Sequence, residues 1–157
     1  ELYCTRSLKY WMDIGQPRDY LQGVRLHLQY LRETSPDQLW DGPGVRGNVL
    51  VHETAEIGEG AIIGPDTVIG PHCVVGPGAR VTGATLLAHS RAEPHCLVKD
   101  SIVGWHSVVG SWCHVTDVSV LGEKVEIAPE VALIGAIILP NKSIRASITK
   151  AGTIVMQ

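Results

Sequence analysis

The sequence predicts a mainly β protein, built as a coil of short strands, and three observations lead there. Branched aliphatic residues recur at every sixth position through most of the chain. A small residue follows most of them four places later, and glycine often follows directly. Glycine and proline are abundant (17 and 9 residues) while phenylalanine is absent, which suits a narrow core of branched side chains interrupted by many turns. A period of six fits neither a helix, repeating near 3.6, nor a plain strand, repeating every 2. It fits a short strand, a corner and another short strand.

The elements follow in order. Residues 1–34 read as a strand and a helix. "LKYWMDIG" is the strand, ending at Asp13 and Gly15. Pro17 suits a first helical turn, where its missing N–H costs nothing, and Asp19 favours the positive helix start. Tyr20, Leu21, Val24, Leu28 and Leu31 then share one face of a helix expected over 17–33. Gly23 lowers its propensity by about 1 kcal/mol relative to alanine. A lone strand and helix cannot build a core. Their apolar face must dock on the coil or on a domain preceding Glu1, and the start at Glu1 favours the preceding domain. Residues 35–49, "SPDQLWDGPGVRGN" and one more, read as a linker.

The coil occupies 50–144. One aliphatic series runs Val51, Ile57, Ile63, Ile69, Val75, Val81, Leu87. A second runs Leu97, Val103, Val109, Val115, Leu121, Ile127, Leu133, Leu139. Small followers include Ala61, Thr67, Cys73, Ala79, Ser101, Ser107, Cys113 and Ser119. Fifteen aliphatics at three to a coil give about five coils, a stack about 24 Å tall at the spacing of paired strands. The ten-residue break from Leu87 to Leu97 predicts an outward loop at "HSRAEPH". Residues 145–157 are left as a tail.

Composition excludes several roles. Net charge is −3 and no run of lysine or arginine occurs, so neither nucleic acid nor an anionic membrane is an expected partner. The longest apolar stretch, "VALIGAIILP", is too short to span a bilayer. Cysteines 4, 73, 96 and 113 form no C-x-x-C pair and read as free thiols of a reducing compartment, hence a cytoplasmic protein. Cys73 and Cys113 fall on inward positions, so His72 and His114 point elsewhere and no shared metal site forms there. His89 and His95 are the candidates for a general base of acyl transfer, against a plain reading as solvated loop residues. Trp105 and Trp112 fall on corners, either as interface residues or packed on a neighbouring segment.

The six-residue pattern over about 50–144 resembles the hexapeptide-repeat family of left-handed parallel β-helices, and the handedness comes from that resemblance. The pattern is specific for fold and poor evidence of function. "YWMDIGQPRDYLQG" resembles the tail of the nucleotidyltransferase domain of sugar-nucleotide pyrophosphorylases, which would make residues 1–34 the end of an α/β domain. Together with "SIVGW", "VLG", "LPNKSI" and "TIVMQ", it resembles the GDP-mannose pyrophosphorylase (mannose-1-phosphate guanylyltransferase) family in its catalytic, beta-type form. That family makes GDP-mannose and pyrophosphate from GTP and mannose 1-phosphate. The resemblance implies a C-terminal fragment of such an enzyme, its coil serving assembly and regulation in a homo-oligomer or beside a regulatory paralogue.

Taken alone, Asp13 reads as a turn residue; the resemblance makes it a ligand of the catalytic Mg²⁺. Gly15 and Gln16 would shape the turn that aims it, and Tyr10 and Trp11 would pack. The family's glycine-rich phosphate loop, lysines and second metal carboxylate have no counterpart here, so the isolated chain is expected to be inactive. Three alternatives remain open: a non-catalytic pyrophosphorylase-like subunit, another sugar nucleotidyltransferase, and a hexapeptide acyltransferase.

Overall fold

A computed structural model describes residues 3–4 and 10–156. Three sheets wrap around one core. The first face has seven strands: Val49–Val51, Thr67–Ile69, Thr85–Leu86, Ile102–Val103, Val120–Leu121, Ile137–Ile138 and Ile154–Val155. The second has six: Glu56–Ile57, Val74–Val75, Arg91–Ala92, Val108–Val109, Glu126–Ile127 and Ser143–Ile144. The third has five: Ile62–Ile63, Arg80–Thr82, Leu97–Lys99, His114–Thr116 and Ala132–Ile134. Every pairing is parallel and joins one coil to the next. The aliphatic of each short strand points inward and is sealed by the coils above and below, the mutual burial that makes a solenoid stable.

The coil is longer than the six-residue spacing alone indicates, with about six turns. Val49 is fully buried, and Val45 forms a parallel bridge to Ile63, so the first coil starts inside the expected linker. At the other end Ile148 bridges to Leu133, and Ile154–Val155 pairs with Ile137–Ile138, so the stack continues past residue 144.

The register also differs. The inward series is Ile63, Ile69, Val75, Val81, Leu86, Ala92, Val98, Val103, and later Leu133, Ile138, Ile144. Leu87, Leu97 and Leu139 are therefore not core residues. No loop bulges at 89–95: Arg91–Ala92 pairs on both sides, and Ser90 and Cys96 are buried. The cause is the corner from third to first face. It is one residue short at Val81→Leu86, Val98→Val103 and Leu133→Ile138, where one left-handed residue (Gly83, Asp100 or Gly135) makes the turn. Leu87 and Leu139 lie just outside two of the shifted positions, Leu86 and Ile138, and the strict six-residue count lands on them.

The helix α1 spans Pro17–Thr34, with Pro17 in its first turn and Leu21, Leu28 and Leu31 buried. It docks on the coil: Leu28, Leu31 and Leu39 form a cluster covered by Val24, Leu50 and Val68. Arg32 Nε donates to Asn48 Oδ1 at 2.7 Å, Arg25 reaches Asp66 and Asp100, and Arg18 borders a cleft with Asp117 and Ala151. The helix thus runs along the coil axis. Fourteen residues from Arg18 to Arg32 rise about 21 Å, close to the ~19 Å of four coils. The strand expected ahead of it lies partly outside the described residues; its described part, 10–15, joins no sheet.

Candidate functional site

Asp13 stands in the exposed segment that leads into α1. Its Oδ1 accepts the Gly15 N–H at 2.9 Å, a local turn that fixes the carboxylate just ahead of Pro17. The segment is held across the helix by Tyr10, whose hydroxyl bonds His27 Nδ1 and whose ring lies 5.8 Å from that of Tyr30. Behind it, Trp11, Ile14, Tyr20, Val24, Leu50 and Val68 line an open apolar groove of about 500 Å³ between α1 and the first face. Trp11 and Ile14 are exposed at 81% and 56%. Gln16 caps the helix through its backbone position and not through its side chain.

Mg²⁺ takes six hard oxygens, several of them water or substrate phosphate. Asp13 offers one rigidly held carboxylate on an open rim, which fits one position of such a shell. Among the described residues no group of three His, Cys, Asp or Glu side chains gathers to hold a metal.

The histidines of the coil sit on corners. His72, His89 and His106 occupy the same corner of successive coils and stack at ring separations of 4.9 and 4.8 Å. His95 stacks on Trp112 at 4.6 Å at the next corner. His89 and His95 are therefore exposed members of ladders, each in a left-handed conformation. Cys73, Cys96 and Cys113 point inward, with Cys73 Sγ donating to Leu87 O at 3.0 Å and Cys113 Sγ to Ala128 O at 2.9 Å. Burial, followed by the neighbouring Cys113, pushes the Cys96 thiol up to about 12. Burial likewise raises Cys113. These are inert core groups. Trp105 and Trp112 are exposed at 52% and 60%, and Trp112 packs on His95 of the neighbouring corner.

One arrangement was not visible from the six-residue count. Arg25 bridges from α1 to two coils, its Nη2 to Asp100 Oδ1 at 3.0 Å and its Nε to Asp66 Oδ2 at 3.8 Å. Gly83 lies between those coils at φ +59, and a Cβ there would come within 2.3 Å of Asp100 Oδ1. The signal lies at the coil period: Asp66, Gly83 and Asp100 are 17 residues apart, as are His72, His89 and His106.

The profile of the GMPPB C-terminal domain matches residues 45–154, most of the chain. Mannose-1-phosphate guanylyltransferase 1 of Arabidopsis thaliana is 48% identical over 149 residues, 95% of this chain and 41% of the relative. The mannose-1-phosphate guanylyltransferase catalytic subunit beta of Danio rerio is 43% identical over 148 residues, 94% of this chain and 41% of the relative. The chain thus spans about two fifths of the length of the curated relatives it matches. Among solved structures, the acetyltransferase domain of PglB from Neisseria gonorrhoeae superposes with a TM-score of 0.62 at 18% identity, covering 80% of this chain and 60% of that one. That likeness shows the fold alone: the coil is a left-handed parallel β-helix.

Proposed function

Because the chain belongs to the GMPPB C-terminal domain family, we propose that it is the C-terminal part of a mannose-1-phosphate guanylyltransferase, with GTP and mannose 1-phosphate as substrates. The observation that carries this is the identity of 43–48% across nearly the whole chain, α1 and the Asp13 turn included. The β-helix would serve assembly and regulation in a cytoplasmic homo-oligomer, alone or with a regulatory paralogue. Free buried thiols support a reducing compartment. Among the described residues no helix is long and apolar enough to cross a membrane.

In such a reaction an oxygen of the sugar phosphate attacks the α-phosphorus of GTP, and the bond to pyrophosphate breaks. Bound Mg²⁺ would supply charge screening between the two anions. The residues of this chain would supply position. Asp13 would give one carboxylate oxygen to the ion, and Gly15 N–H fixes the orientation of that carboxylate. Leu28, Leu31 and Arg25 clamp α1 to the coil and so hold the Asp13 turn at a set place on its rim.

The test joins the upstream part of the Arabidopsis relative to this chain and measures pyrophosphate release from GTP and mannose 1-phosphate. The chimera is expected to turn over and the 157-residue chain alone to show none. Asp13→Asn in the chimera is expected to cost about 100-fold or more, in the range of removing a transition-state charge stabiliser. Turnover by the isolated chain, or a folded but inactive chimera, refutes the reading.

A further inference from the structure

One corner of the coil carries a column of imidazoles. The short corners at Val81→Leu86 and Val98→Val103 give two successive coils the same length, so His72, His89 and His106 fall on one corner of three consecutive coils. Each has a left-handed backbone, at φ +55, +61 and +56, and each side chain is exposed. The rings stack at 4.9 and 4.8 Å, with planes 16° and 5° apart. Among the described residues none of the three rings has a hydrogen-bond partner, whereas His27 and His52 bond Tyr10 and Thr54 through Nδ1. Thr54 and Lys124 hold the same position on the coils before and after, so the column ends in a hydroxyl and an ammonium.

We propose that neighbouring rings of this column form a two-imidazole chelate for a borderline divalent transition cation such as Ni²⁺, Cu²⁺ or Zn²⁺. Imidazole suits these ions and not Mg²⁺, which takes hard oxygens. An ion about 2.1 Å from each of two nitrogens, at a right or tetrahedral angle, sets those nitrogens roughly 3 Å apart. Rings stacked at 4.8 Å come to that spacing when each nitrogen moves by about 1 Å, through the broad terminal torsion of histidine. The rings are exposed, so no core packing resists the movement. The outer two rings lie about twice as far apart and cannot share an ion, so His89 is a ligand in either pair. Water fills the remaining positions. No protein group backs the rings from behind, which keeps the affinity modest.

This inference goes beyond the enzymatic reading and does not depend on it, since heat of binding is measured and not turnover. Isothermal titration of NiCl₂ uses the 157-residue chain carrying Cys4→Ser, which removes an exposed thiol. One ion per chain is expected, and MgCl₂ is expected not to compete. Asparagine tolerates a left-handed backbone and is the replacement at each position. His89→Asn breaks both pairs and is expected to weaken binding at least tenfold, since linking two ligands raises affinity by roughly 10²–10⁴-fold. His72→Asn and His106→Asn each leave one pair and are expected to weaken it only about twofold, the statistical loss of one of two alternatives. The double variant His72→Asn/His106→Asn leaves His89 without a neighbour and should fall as far as His89→Asn, so it gives the same answer should His89→Asn not fold. Circular dichroism of every variant confirms the coil before heat is read. Equal losses at all three positions, which rings acting singly would give, overturn the proposal. So does a parent chain that binds no Ni²⁺ up to about 1 mM, where association is only some 4 kcal/mol, competition by MgCl₂, or a double variant that binds like the parent.

Discussion

Gly60 and Gly78 occupy the same corner on adjacent coils, at φ +72 and +68, and they separate two costs that usually come together. A Cβ on Gly60 meets nothing nearer than Gly78 N at 3.9 Å, whereas a Cβ on Gly78 would lie 2.5 Å from His95 Nδ1. Alanine at either site bears the left-handed penalty of about 1–2 kcal/mol, offset by about 0.4–1 kcal/mol from the less flexible unfolded chain. Gly60→Ala should therefore cost roughly 0.5–1 kcal/mol by the same two contributions. Gly78→Ala must in addition push the His95 ring off Trp112, on which it stacks at 4.6 Å. Aromatic pairs contribute about 0.5–1.5 kcal/mol, so the difference between the variants should be near 1 kcal/mol. Urea unfolding followed by circular dichroism measures both, compared at equal m-values. Repeating the pair in a His95→Ala background should make the two costs equal. Variants that differ by less than about 0.3 kcal/mol, the usual limit of additivity, would refute the reasoning. A difference that survives without His95 would do the same.

Other perturbations test separate parts of the structure. Thr85 is 1% exposed, and its hydroxyl has no hydrogen-bond partner among the described residues, so Thr85→Val should stabilise the chain by about 1 kcal/mol; a lower Tm would show that the hydroxyl is bonded. Leu28→Ala removes a fully buried anchor of α1 and should cost about 2–5 kcal/mol, read as lost helical ellipticity and faster amide exchange in α1 while the coil stays protected. Arg25→Ala breaks a pair with both partners partly exposed and should cost under about 1 kcal/mol, with exchange again faster in α1 alone. A disulfide reagent at pH 8 should titrate Cys4 alone in the native chain and all four thiols after denaturation. The Cys96 thiol is raised from 9.0 to about 12, so it stays protonated in the fold while the unfolded chain loses that proton. Stability from this group is complete below pH 9 and falls as pH rises toward 12, by up to about 1.4 kcal/mol per pH unit; a flat urea midpoint from pH 9 to 11 would contradict it.

The sequence by itself determined the three-sided coil. A six-residue period of aliphatics with small followers has no other regular solution, and Ile63, Ile69, Val75 and Val81 are buried where the count puts them. It determined α1, because Pro17 and an apolar stripe specify a helix locally, and it set Cys73 and Cys113 inside the core. Val103, Val109, Val115, Leu121, Ile127 and Leu133 are likewise buried where the second series puts them, and the register was decided in three dimensions only at Leu86, Ala92, Val98 and Ile138. A missing residue at a corner shifts the positions that follow it until the count restarts, and adjacent leucines at 86 and 87 satisfy a hydrophobic count equally well. Only the pairing of Leu86 with Ile69 and Val103 chooses between them. The docking of α1 was likewise tertiary, since an apolar helical face names no partner. What fixed it was the burial of Leu28 and Leu31 against Leu50 and Val68, oriented by Arg25 reaching Asp66 and Asp100 across a corner that Gly83 keeps clear. The column that brings His72, His89 and His106 into line arises from stacking coils of 17 residues, a distance at which chain neighbours exert no influence on one another and only paired backbones do.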